Sequence, residues 1–258
     1  MLSQERQRRI MEILEKDNTV KIIDIVKLFR VSHETARRDL ETLQDQGMAK
    51  RVYGGAIYLP PAGRSTSENP GPRLVRRERR AIARAAAELV HEGDTVLLGM
   101  GTTVQEVAKC LRTVPNLTVV TNSIFVLNEL VDSDVNLYML GGHVSSSEHH
   151  LEGQLVLDGL QSFNLDVAIL GCAGATLECG VSDYSYEVAQ MDRAMLRRAR
   201  RGVLVAQSDK FGKDCFSVAC PLEQFHTVVT DNALSDDYRR GLAERGIGLI
   251  LANVAPGT

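Results

Sequence analysis

The stretch VSHETARRDLETL at residues 31–43, with RVYGGA following at residues 51–56, decides the fold. Ser32 is a natural helix N-cap, because its hydroxyl can accept a backbone N–H of the first turn, and the apolar Val31 before it can close over Ala36. A helix therefore begins at His33. Within it Ala36, Leu40 and Leu43 follow the i, i+4, i+7 spacing of a buried stripe, while Glu34, Thr35, Arg37, Arg38 and Thr42 fall on the other side. A small hydroxyl and two adjacent guanidiniums near the start of a short helix suit the DNA major groove, since arginine donates bidentately to guanine or to phosphate oxygens. The bland alternative is an amphipathic surface helix with solvated charges.

The preceding residues favour the first reading. Residues 4–15 place Ile10, Ile13 and Leu14 on one face, and residues 22–29 offer Ile25, Leu28 and Phe29, so three short helices share one core. Three helices followed by a Gly54, Gly55 hairpin make a winged helix-turn-helix layout. Over residues 20–56, with VSHETARRDLETL and KRVYGGA, the chain resembles the DNA-binding domain of DeoR-type bacterial transcriptional regulators. That resemblance implies a surface for double-stranded operator DNA in which His33, Thr35, Arg37 and Arg38 read or grip the groove, Ser32 and Arg51 hold phosphates, and Tyr53 with Gly54 places the wing. Two residues depart from the family pattern. Arg30 stands where glycine is usual between the second and third helices, a substitution that costs ~1–2 kcal/mol in a left-handed turn. Tyr53 replaces the usual wing histidine, keeping a hydroxyl donor but no titratable cation.

A chain of 258 residues with 44% hydrophobic and 24% charged residues is long enough for two cored domains. Its net charge of −3 is unevenly spread: residues 1–90 carry 18 Lys+Arg against 12 Asp+Glu, and residues 91–258 carry 12 against 21. A basic front and an acidic back fit a DNA-binding head on a body that does not stick to DNA. The five cysteines, at 110, 172, 179, 215 and 220, are odd in number and contain no C-x-x-C pair, which supports neither a disulfide framework nor a structural zinc site. The N-terminus has no apolar leader core, and no apolar run approaches the ~20 residues that cross a bilayer, so a cytoplasmic protein without a membrane partner is expected.

The expected organisation is a winged helix-turn-helix domain over residues 1–59, a linker rich in Pro, Gly and Ser over 60–75, and an α/β domain over 76–258. In the last, strands are expected at 95–98, 117–121, 135–140, 167–170, 203–206, 228–230 and 248–251, with helices at 73–90, 104–111, 124–131, 186–200 and 236–245. The basic residues of 73–90 read as a solvated face rather than a second DNA contact. Alternation of this kind makes a mostly parallel sheet covered on both faces, with ligands bound beyond the carboxyl ends of its strands. The first such end is GMGTT at 99–103, where Gly99 and Gly101 free the backbone to approach an anion, and Thr102 or Thr103 can cap the helix with Gln105 or Glu106 three residues on. A plain strand-to-helix turn is the alternative. Later strand ends contribute Thr121 and Asn122, Gly141 and Gly142, Gly171, and Lys210, a point charge for phosphate. The run HVSSSEHH at 143–150 reads as a solvated loop, because adjacent His149 and His150 point apart and no third metal ligand is spaced for them.

GTT at 101–103, Thr121, Asn122, Gly141, Gly142, Gly171, Glu187 and KFG at 210–212 resemble the sensor domain of the same DeoR-type family, whose body is similar to the sugar-phosphate isomerase fold. The resemblance implies a repressor of a sugar-catabolic operon, a homodimer or homotetramer without cofactor, metal or catalytic residues, controlled by a phosphorylated sugar at those positions. Gln207 departs from the family's usual aspartate, with Asp209 as a partial substitute, and the run 143–150 lacks the arginine often found after the paired glycines. An isomerase-like enzyme with an accessory DNA-binding head is the rival reading; it needs paired carboxylates, for which Glu178, Asp183 and Glu187 are available. A ligand-free architectural DNA binder is the third.

Overall fold

The computed structural model describes residues 3–17, 19–46, 48–52, 54–58, 73–146 and 148–253, and the chain divides into two compact units, Met1–Arg73 and Leu74–Thr258. In the first unit α1 (Ser3–Asp17), β1 (Thr19–Lys21), α2 (Ile22–Phe29) and α3 (His33–Asp45) precede β2 (Ala49–Val52) and β3 (Gly55–Tyr58). The three strands form an antiparallel sheet in the order β1-β3-β2. Ile10, Leu14, Val20, Ile25, Ala36, Leu40, Leu43 and Ala56 close a single small core, so the stripe read from residues 36, 40 and 43 is the buried face of α3. Gly55 is required there, because a Cβ on it would lie 2.1 Å from the Val20 carbonyl oxygen of β1. Gly54 before it turns with φ +85°. Tyr53 and residues 59–72 lie outside the described residues.

Next comes α4 (Arg73–Ala87), within the span 73–90 expected to be helical. Ile82, Ala83 and Ala86 carry α4 into the core. There follow β4 (Thr95–Leu98), α5 (Thr102–Leu111), β5 (Thr118–Thr121), α6 (Ile124–Leu130), β6 (Asn136–Met139), β7 (His143–Ser145), β8 (His150–Glu152), α7 (Gln154–Leu160), β9 (Leu165–Leu170), β10 (Gly174–Thr176), β11 (Gly180–Asp183), α8 (Tyr186–Arg198), β12 (Ala199–Val205), β13 (Ser217–Cys220), β14 (Thr227–Asp231), α9 (Asp236–Glu244) and β15 (Gly248–Ala252). Seven strands form one parallel sheet in the order β15-β14-β12-β9-β4-β5-β6, and they are the seven read from the sequence. Alternate residues enter two cores: Leu97, Val120, Leu170 and Leu204 on the side of α7 and α8, and Val96, Leu98, Val119, Ile169 and Val205 on the side of α4, α5 and α6. β4 and β9 are neighbours although four strands separate them in sequence, which puts the topological switch point between their carboxyl ends.

Two small sheets escape the sequence reading. β10, β11 and β13 pair antiparallel beside the main sheet, and β7 with β8 forms a hairpin over the run expected to be a solvated loop. His150 is buried there, its ring nitrogen Nε2 3.2 Å from Glu152 Oε2, where β8 bridges to Ser123, the N-cap of α6. Each of these strands is three or four residues long, too short to show a hydrophobic period.

Candidate functional site

In the first unit, Ser32 caps α3: its Oγ accepts the Thr35 N–H at 3.1 Å and lies 2.9 Å from the Thr35 hydroxyl. Its hydroxyl is thus committed to starting the helix. The outward face then shows His33 and Arg37, exposed and without a hydrogen bond or ion pair among the described residues, and Arg38, whose guanidinium is 3.7 Å from Glu34. Arg51 of β2 turns instead to α3, where its guanidinium pairs with Glu41 and its N–H donates to Gln44 at 3.0 Å. That contact fastens the wing sheet to the helix. Arg30 ends α2 at φ 52°, ψ 47°, so the left-handed turn that the family fills with glycine is kept with a side chain present.

A lock beneath α3 is not among the residues singled out from the sequence. Asp39 is 2% exposed and accepts Arg6 Nε at 2.5 Å and Nη2 at 3.0 Å, with Ser3 and Gln7 of α1 also donating to it. Spacing carries the signal: Asp39 lies three residues after Ala36 and four before Leu43, and Arg6 stands one turn before Ile10. Both charges are therefore on buried faces, where each needs the other.

In the second unit the carboxyl ends of β4 and β9 adjoin. The Gly99 N–H donates to Ile169 O at 3.1 Å, and a Cβ on Gly99 would lie 2.7 Å from a Leu170 methyl. Gly171 sits across from Met100 O. The expected capping box is absent: Gly101 is the N-cap at φ 108° with no side-chain bond, while Gln105 turns to Glu129 and Glu106 to Lys109. The first amides of α5 are left uncapped by any side chain, at a helix end that favours negative charge. Thr102 and Thr103 are half-buried beside them.

Thr121 and Asn122 reach the same edge with different duties. The Thr121 hydroxyl donates to Leu98 O at 2.7 Å and accepts the Ser123 N–H at 3.0 Å, which joins β5 to β4 and leaves it fully buried. Asn122 donates through Nδ2 to Leu151 O at 2.8 Å and contacts Met191 Sδ at 3.5 Å, while its buried Oδ1 has no partner. Gly141 and Gly142 lead from β6 into β7. Lys210, in a 3-10 turn after β12, has its ammonium 3.9 Å from Asp209 Oδ2, and Lys213 shares that carboxylate at 3.4 Å. Glu187 stands apart, exposed at the start of α8; its carboxylate accepts the Ser185 hydroxyl at 2.7 Å, which holds it below the usual range.

Three acids and a glutamine complete the surroundings. Burial lifts Asp183, at the end of β11, to about 6; Glu148 pushes the same way, while the Ser185 N–H and the Lys210 ammonium pull it down. Asp192 of α8 is pushed well above the carboxylate range by burial and by Asp183. Gln207 is buried and uses both ends of its amide, accepting Arg79 Nε at 2.9 Å and donating to Glu78 Oε2 at 2.8 Å. An aspartate there would face Glu78 without the donor. Of the three acids open to an isomerase, Glu178 and Glu187 are exposed and Asp183 is half-buried, with the Lys210 ammonium acting on it.

Residues 6–61 match the DeoR-like helix-turn-helix domain, and residues 75–232 match the DeoR C terminal sensor domain. The chain is 33% identical to the HTH-type transcriptional repressor GlcR of Bacillus subtilis, covering 97% of each chain. It is 31% identical to a putative aga operon transcriptional repressor of Escherichia coli O157:H7, over 96% of this chain and 93% of that one. The glycerol-3-phosphate regulon repressor of Escherichia coli K12 is likewise 31% identical, over 90% and 92%. Among solved structures, ribose 5-phosphate isomerase A of Methanocaldococcus jannaschii overlaps 52% of this chain and 53% of its own at 14% identity and a TM-score of 0.39.

Proposed function

The chain belongs to the DeoR family of transcriptional regulators, and on that premise we propose that it represses a sugar-catabolic operon whose double-stranded operator it releases or holds according to a phosphorylated sugar. The observation that carries the DNA half is the pair Arg37 and Arg38 on the outer face of a capped helix, with His33 and Thr35 beside them. Arg51, engaged with Glu41, holds the wing in register for Gly54 and Tyr53 to approach the backbone. Winged heads read paired half-sites, so the working form is a homodimer or homotetramer.

The effector half rests on the uncapped amides of α5 at the switch point. Phosphate binds there through residues 101–103, Lys210 supplies the point charge, and Gly99, Gly171, Asn122 and the Gly141, Gly142 turn shape the crevice. Thr121 acts on the site by fixing the strand end, and Glu187 by meeting a ligand that extends past α8. Binding changes operator affinity only in so far as the sugar phosphate prefers one arrangement of the assembly over another. The protein is read as a regulator rather than an enzyme because the relatives of matching length are named as repressors.

The test has two arms. Selection from a randomised duplex library should return a two-fold symmetric site, and Arg37→Ala with Arg38→Ala should abolish binding to it while the fold survives. A thermal-shift screen with sugars, sugar phosphates and inorganic phosphate should show stabilisation by a phosphorylated sugar that Thr102→Ala and Lys210→Ala both lose. Unchanged DNA affinity in the double variant overturns the recognition surface. A screen that responds only to unphosphorylated compounds overturns the phosphate site.

A further inference from the structure

Three non-glycine residues among those described hold a positive φ: Arg30, Asn116 and His149. An L-residue in that region sets its Cβ against the following carbonyl, so such a conformation persists where something holds it, and often where function needs it. Asn116 has the short polar side chain suited to it, and its amide donates to Glu92 Oε1 at 2.7 Å. His149 stacks its ring on Phe125 at 4.8 Å, while its carbonyl accepts the Ile124 N–H at 2.9 Å. Arg30 has no such partner. It is exposed, and among the described residues its guanidinium makes neither a hydrogen bond nor an ion pair.

Nothing inside the first unit calls for arginine at this turn. A cation at the end of a helix meets the macrodipole, but Lys27 already lies in the last turn of α2. Glycine would take the same φ of 52° without strain. From Ile25 to His33 the chain carries Lys27 and Arg30 and no acid, and the next acid along, Glu34, is directed to Arg38. The edge where α2 hands over to α3 is therefore positive and exposed. Arg30 precedes Ser32, whose hydroxyl is engaged with Thr35, and lies three residues before His33, so its Cα is within about 11 Å of the first residue of α3. A helix that enters the major groove leads with its N-terminal residues, and phosphates wall the groove beside them.

We infer that Arg30 holds an operator phosphate beside the N-terminus of α3, the backbone contact for which the sequence suggested Ser32. This rests on α3 being the recognition helix. Arginine suits the task because its planar fork donates to two phosphate oxygens at once. The residue thus lowers the stability of the fold while raising affinity for DNA, and the two move in opposite directions when it is replaced.

The test measures melting temperature and operator affinity across a salt series for the full chain and for Arg30→Gly, Arg30→Asn and Arg30→Lys, on the duplex that the wild type selects from a randomised library. Glycine and asparagine both tolerate the left-handed turn, so each variant should melt higher than the wild type. Each should bind about tenfold more weakly at 0.1 M salt and approach the wild type towards 1 M, a salt slope lower by about 1. The selected sequence should not change, because a phosphate contact carries no base information. Arg30→Lys keeps the charge and should keep the slope. Unchanged affinity and slope in the glycine and asparagine variants overturn the inference and leave the recognition helix standing. A loss confined to Arg30→Gly, or a loss with the slope unchanged, assigns the effect to the shape of the turn and overturns it too, as does a slope that Arg30→Lys fails to keep. A wild type that selects no duplex overturns the DNA-binding reading, and the inference with it.

Discussion

Arg30 holds a left-handed backbone between α2 and α3 at φ 52°, a conformation in which its Cβ crowds the following carbonyl. Arg30→Gly is expected to stabilise the N-terminal unit by about 1 kcal/mol in chemical denaturation, provided the turn keeps its shape. The opposite sign is expected at Asp39. Removing it leaves the buried Arg6 guanidinium uncompensated, so Asp39→Ala should cost about 3–5 kcal/mol and free α3 from α1. Asp183 gives a pH signature. Its folded value of about 6 is above the ordinary carboxylate value, so the folded state holds the proton longer than the unfolded chain does, and stability is lost as pH rises between the two. Asp183→Asn should therefore raise the melting temperature at neutral pH by an amount that shrinks as pH falls through 6 and vanishes below about 4. A gain that is constant with pH would contradict the burial of this carboxyl.

At the scale of elements, the wing is a matter of clearance. A methyl on Gly55 would meet the Val20 carbonyl at 2.1 Å, so Gly55→Ala must push β3 away from β1. Operator affinity is expected to fall while the sugar-phosphate thermal shift of the second unit stays, which separates the wing from the sensor. α4 is coupled to the end of β12 in a different way, through the Gln207 amide between Arg79 and Glu78. Burial raises the Glu78 carboxyl, and Gln207→Asp would place a second acid against it. That variant should be less stable at neutral pH and recover as the pH is lowered, because protonating either acid restores a donor between them. Gln207→Glu, which keeps the length, should behave the same way.

The whole molecule combines a basic front with an acidic back, and only the front is read as meeting DNA. Operator affinity should fall linearly with the logarithm of salt, and each recognition-helix arginine that grips phosphate should lower that slope by about 1 when replaced by alanine. An arginine that reads a base should instead relax sequence preference, so the pair Arg37 and Arg38 can be sorted by this measurement. The effector enters the same ledger through linkage. On the proposed function, a sugar phosphate at ~100 times its dissociation constant is expected to stabilise the second unit by about 2.7 kcal/mol, which a melting experiment would read before any operator is known.

Much of this was legible in the chain itself. The stripe of Ala36, Leu40 and Leu43, the cap at Ser32, the paired wing glycines and seven strands of the parallel sheet are set by local period and capping chemistry, which a sequence displays directly. GMGTT could be placed at a strand end for the same reason. What the tertiary structure decided is where polar groups find partners: Arg6 with Asp39, Gln207 with Glu78 and Arg79, His150 under the β7–β8 hairpin, and Asn122 Oδ1 with none. Those facts depend on residues 33 to 129 positions apart, or on strands too short to carry a period. Burial makes such pairings costly to leave unmet, and burial is a property of the packed chain rather than of any stretch of it.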